Sequence, residues 1–124
     1  MPLHFAGDVG SDLSNPVAVT STTTTNLDMS TGNYFRIALG STITTLAITN
    51  PPPTAASCRL KLAIIQDATG SRAITNWPSN MRFTGSANPT LTTTAAKADY
   101  FSFVWDPTAL LWFEDNRDLA VANA

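Results

Sequence analysis

Apolar and polar positions alternate with period two along most of this chain, and turn residues interrupt them at roughly eight- to twelve-residue intervals. In 34–39, Phe35, Ile37 and Leu39 share one face while Tyr34, Arg36 and Ala38 share the other. In 42–49, Leu46 and Ile48 point inward and Thr45 and Ala47 outward. The clearest strand is 57–66, where Cys58, Leu60, Leu62 and Ile64 alternate with Arg59, Lys61, Ala63 and Ile65. One buried and one wet face is the antiparallel pattern. A first pair is expected over 17–20 and 22–27, followed by a turn at 30–33. Pro51, Pro52 and Pro53 cannot donate ladder hydrogen bonds, so they mark a loop or an edge crossing.

Asp67-Ala-Thr-Gly70 reads as a hairpin connection, with 71–77 returning beside 57–66 until Pro78 stops it. Short pieces follow at 81–83 and 90–93. Phe101, Phe103 and Trp105 then alternate with Tyr100, Ser102 and Val104, and 109–114 returns carrying Leu110, Leu111, Trp112 and Phe113. This aromatic hairpin is the expected centre of the core. The best helical stretch, 94–99, supports one turn at most. The expected fold is all-β: a two-sheet antiparallel sandwich, jelly-roll-like, of about eight strands, with a closed barrel as the alternative. The domain is expected over 17–114, between an N-terminal arm (1–16) and a C-terminal tail (115–124). The interface residues expected on these arms are Leu3, Phe5, Leu13, Arg117 and Leu119.

Composition narrows the function. A chain of 124 residues fits one domain. Charged residues make up 13%, about half the usual ~25%, and Thr, Ser and Asn take their place. Net charge is −2, and the seven Lys and Arg are scattered, so a phosphate-gripping basic patch is not expected, nor is nucleic acid as a partner. Cys58 is the sole cysteine, which excludes an internal disulfide and a Cys-based zinc site. Its place in an apolar alternation suits a small core residue. No signal peptide or membrane span is read, so synthesis in a cytosol-like compartment is expected, with no membrane partner.

Catalytic constellations are not legible. His4 is the only imidazole and lies in the arm, a poor place to hold catalytic geometry. No nucleophile elbow, phosphate loop or His-Glu-x-x-His helix occurs, and no spaced Asp-x-Asp calcium pattern. Asp67 and Asp106 open turns, where Asp binds its own backbone. Glu114, Asp115, Arg117 and Asp118 form a mixed cluster suited to a solvated tail or interchain salt bridges. Trp77, Tyr100, Trp105 and Trp112 suggest either a sugar-stacking platform or core packing. Alternation favours the core, with Trp77 beside Pro78 partly exposed. No catalytic, cofactor-binding or metal-binding residue is expected.

The stretch from Leu60 to Arg82 has an apolar strand ending in Gln66, a Gly70-Ser-Arg72 turn and a strand closing on Trp77-Pro78. An Asn- and Thr-rich opening (33–50) precedes it. Pro89-Thr-Leu-Thr92 and an aromatic pair of strands (100–113) follow. Together these resemble a β-sandwich module of tailed-bacteriophage virion proteins, across most of 20–114. The resemblance implies a structural protein without catalytic residues. A unit of this size is most similar to a head decoration (cement) protein on the capsid exterior. It would bind the major capsid protein, commonly as a trimer. A tail- or fibre-associated protein, possibly glycan-binding, is the alternative.

Overall fold

The computed structural model describes residues 13–51 and 58–122. Nine strands occur among them: β1 (Val17–Thr20), β2 (Thr24–Asp28), β3 (Tyr34–Leu39), β4 (Ile43–Thr49), β5 (Arg59–Gln66), β6 (Ile74–Asn76), β7 (Met81–Arg82), β8 (Lys97–Asp106) and β9 (Leu111–Ala122). They form a six-stranded sheet, β1-β3-β5-β8-β9-β7, and a three-stranded sheet, β2-β4-β6. The protein is all-β with two sheets, as the alternation predicts.

Strand direction is not as predicted. β1–β3, β3–β5, β2–β4, β4–β6 and β7–β9 are all parallel, and antiparallel pairing is confined to β5–β8 and β8–β9. Through β6 the chain steps from one sheet to the other at every turn, so it winds in stacked coils. The expected hairpin at 67–70 is therefore a corner: β6 joins the small sheet beside β4, and β5 takes β8 as its antiparallel neighbour. No strand forms at 90–93, and 94–99 forms no helix, since β8 begins at Lys97. The expected tail is also revised, because β9 runs on to Ala122, paired along β8.

Short polar side chains explain why the turns become corners. The Thr25 hydroxyl binds the Thr22 backbone twice: Thr22 N–H donates to Thr25 Oγ1 at 2.9 Å and Thr25 Oγ1–H donates to Thr22 O at 2.8 Å. That local bonding competes with a hairpin ladder. One coil higher, the Gly40 and Ser41 amides donate to the buried Ser21 hydroxyl at 2.9 and 3.2 Å. Higher again, Ile43 N–H donates to Ala73 O at 2.9 Å. Across the molecule, Asp28 Oδ1 accepts from Asn50 Nδ2 of the next coil at 2.8 Å and from the Ser30 amide and hydroxyl. These three donors hold the Asp28 carboxyl below its ordinary value, Asn50 most of all.

The core draws on both sheets. Phe35, Ile37, Leu60, Leu62, Phe101, Phe103 and Trp112 come from the large sheet; Leu27, Ile43, Leu46 and Ile74 come from the small one. Each fully buried side chain of this size contributes about 1.5–3 kcal/mol. Trp105 and Trp112 face each other across the β8–β9 ladder with centroids 5.0 Å apart, so the aromatic hairpin stands as expected.

Candidate interaction surface

Burial tests the chemistry first. The buried polar residues among those described are Ser21, Thr25, Asn33, Gln66 and Asp99. Each is engaged by the backbone of its own fold. Asn33 Oδ1 accepts Ser14 N–H at 2.6 Å and its Nδ2 donates to Arg59 O at 3.1 Å, spanning the start of three coils. Gln66 Nε2 donates to Arg72 O and Thr92 O, both at 2.8 Å, while Oε1 accepts Arg72 N–H at 3.1 Å. Asp99 accepts Thr92 N–H at 2.7 Å and Ala120 N–H at 2.9 Å. Buried groups satisfied in this way are scaffold, consistent with the rule that buried polar groups find partners.

The remaining ionisable groups are similarly placed. Asp67 accepts the Thr69 and Gly70 amides and pairs with Arg72 at 3.0 Å, so its carboxyl stays below the ordinary range, mainly because of Arg72. Asp106 accepts the Thr108 and Ala109 amides in the β8–β9 turn. Burial pushes the Cys58 thiol up from 9.0 to about 11, suiting an inert core residue. Among the described residues, no three His, Cys, Asp or Glu side chains gather as a metal site would require. No helix of the described residues is long and apolar enough to cross a membrane.

Cavities open on the surface of the described residues. One of about 370 Å³ is lined by Leu46, Ile48, Trp77, Pro78 and neighbouring polar residues, none ionisable. Another, about 650 Å³, is walled by Met81, Arg82, Phe83, Phe113 and Glu114. Its charges are already engaged. Arg82 donates to Ser79 O and Met81 O. Glu114 takes a bidentate pair from Arg117, at 2.7 Å each, and the Thr84 amide at 3.0 Å. Burial would raise the Glu114 carboxyl, but these partners together hold it below its ordinary value.

A sugar-stacking platform is not assembled. Trp77, expected partly exposed, is 8% exposed and meets Phe83 and Phe101 edge-on at 5.2 and 5.8 Å. Trp105 and Trp112 are buried. Tyr100 is half-buried under the Lys61 ammonium, 5.5 Å from its ring centre.

Of the expected interface residues, Leu3 and Phe5 lie outside the described residues. Leu13 is exposed just before β1, at one edge of the large sheet. Leu119 is exposed on β9, near the opposite edge. Arg117 turns inward: it grips Glu114 and lies 5.7 Å from the Phe101 ring centre, so it braces β9. Val121, Phe113 and Leu110 were not among the expected interface residues, yet all are exposed on or beside β9. The signal for Val121 was its spacing two residues from Leu119, masked by the charges at 114–118; Leu110 and Phe113 stood in the returning strand of the aromatic hairpin. The described surface thus presents sheet edges and exposed apolar side chains on and beside β9. Comparison with known family models, curated proteins and solved structures finds no match to this chain.

Proposed function

We propose that this chain is a non-catalytic virion structural protein of a tailed bacteriophage that decorates the outer capsid lattice, binds the major capsid protein and braces the shell. The observation that carries the reading is that, among the described residues, β1 and the part of β9 beyond Phe113 have an unpaired outer side, with exposed apolar residues gathered along β9. An open edge adds strands from another chain through main-chain hydrogen bonds. A weakly charged Thr-rich surface does not steer toward nucleic acid. The resemblance of 20–114 to phage virion modules supplies the location, the sandwich description of the two sheets and the trimeric state. Burial of the three tryptophans removes the main support for a glycan-binding tail protein.

Cryo-EM of particles carrying the chain tests this. Density at capsomer junctions on the head is expected. Density confined to the tail would move the protein to the alternative placement, and its absence from particles would end the virion reading.

A further inference from the structure

Sheet edges in proteins that stay apart are blunted by charge, proline or shortness. The β7 edge follows this rule: it is two residues long, follows Pro78 closely, and its Arg82 guanidinium covers the Ser79 and Met81 carbonyls. Two other stretches do not. Among the described residues nothing pairs with the outer side of β1, and β7 covers β9 only at Trp112 and Phe113. The next part of β9 carries Glu114, Asp115, Arg117 and Asp118, but it ends Leu119-Ala-Val-Ala122 without a charge. β1 reads Val17-Ala-Val-Thr20, also uncharged. Both read as large residues alternating with small ones.

Three further observations connect these stretches. First, Val17 and Val19 pack against the core yet stay half-buried, as an end coil without a neighbour would leave them. Second, a register shift sets Leu119 and Ala120 opposite Asp99, with Ala120 at φ +59° and its N–H held by the buried Asp99 carboxylate. A left-handed Ala is strained, and such bulges re-aim side chains at edges. Third, β9 runs in the same sense as β1, since β5 and β9 are each antiparallel to β8. A second copy rotated about an axis along the strands therefore brings its β1 to β9 in parallel, the pairing already used by β1–β3, β3–β5 and β7–β9.

We infer that copies of this chain associate head to tail, with β1 of one adding to residues 119–122 of β9 on the next. Pairing β9 with itself about a two-fold centred on Leu119 would set Arg117 against Val121 and Asp118 against Ala120, placing charges in the apolar seam. β1 brings none. Repetition of one heterologous contact closes a ring where the rotation permits. The contact gives the trimeric part of the proposed reading a surface, but it is measured in solution while placement on the head is read from particles, so the two can fail separately.

The test uses the purified full chain and two double variants, Ala18→Lys with Thr20→Lys and Leu119→Lys with Val121→Lys. Light scattering should give an oligomer for the parent chain and a monomer for each variant alone. Mixed, the variants should form a one-to-one pair, because each keeps the edge that the other has lost. Pairing of β9 with itself would leave the β1 variant associated and yield no such pair, overturning the inference. A monomeric parent chain would also overturn it. Hydrogen exchange of the parent chain guards against variants that fail to fold. Amides at 17–20 and 119–122 should gain protection together in concentrated solution, and unchanged protection would count against the interface.

Discussion

Gln66 shows how a residue that resembles a family signature gains a physical role. Its amide reaches three backbone groups on two loops, from Arg72 and Thr92, and fixes the corner that carries the chain between sheets. Gln66→Ala leaves buried backbone groups unpartnered and should cost about 2–4 kcal/mol in denaturant unfolding, whereas a surface change such as Thr108→Ala should leave the midpoint nearly unchanged. Cys58 makes a prediction of opposite sign in pH. Its thiol titrates at about 11 in the fold against 9.0 ordinarily, so its contribution is complete below pH 9 and is lost as pH rises toward 11. Stability measured across that window should fall less steeply in Cys58→Ala than in the parent chain.

Gly70 matters at the scale of the element. It has φ +75°, and a Cβ there would lie 2.6 Å from Thr93 O and 2.9 Å from Ala95 N, both backbone atoms. Neither atom can swing aside. Gly70→Ala should therefore cost more than the roughly 1–2 kcal/mol of a left-handed Ala alone, readable as a lowered unfolding midpoint. The first strand depends on its own polar contact, since Ser14 N–H donates to Asn33 Oδ1 and Ser14 Oγ accepts Asn33 N–H. Deleting 1–16 strips both from a buried Asn. The truncated chain should unfold more easily by about 1–3 kcal/mol.

At the scale of the whole molecule, the carboxylates of Asp28, Asp67 and Glu114 all titrate below their ordinary values of 3.8, 3.8 and 4.5. A depressed folded-state pKa adds stability above the ordinary value, and that stability is lost as pH falls through the depressed one. Unfolding monitored from pH 6 downward should steepen below about 4.5. Glu114→Gln should flatten that limb, because the Arg117 bond then no longer depends on a carboxylate. An unchanged acid limb in that variant would show the Glu114–Arg117 clamp to be energetically silent.

Much of the fold was legible in order. Alternation and turn signals placed a segment at each of the nine described strands, with one surplus piece at 90–93, before any pairing was known; the facing tryptophans of β8 and β9 were readable from their spacing around Asp106-Pro107. Exposure was legible only in part: the sequence pointed to Leu119, Val121 lay behind a run of charges, and the Arg117 side chain engages Glu114 and the Phe101 ring. The sequence by itself determined that this protein is β, weakly charged and built around an aromatic hairpin, because side-chain alternation and turn chemistry are local. Only the tertiary structure decided that β1 to β6 stack in parallel coils and that, among the described residues, nothing pairs with the outer side of β1 or of the end of β9. Strand alternation has the same period in either pairing direction. The choice fell to long-range contacts such as Ser21 with Gly40 and Ser41, Asp28 with Asn50, and Gln66 with Thr92, which exist only once the coils meet.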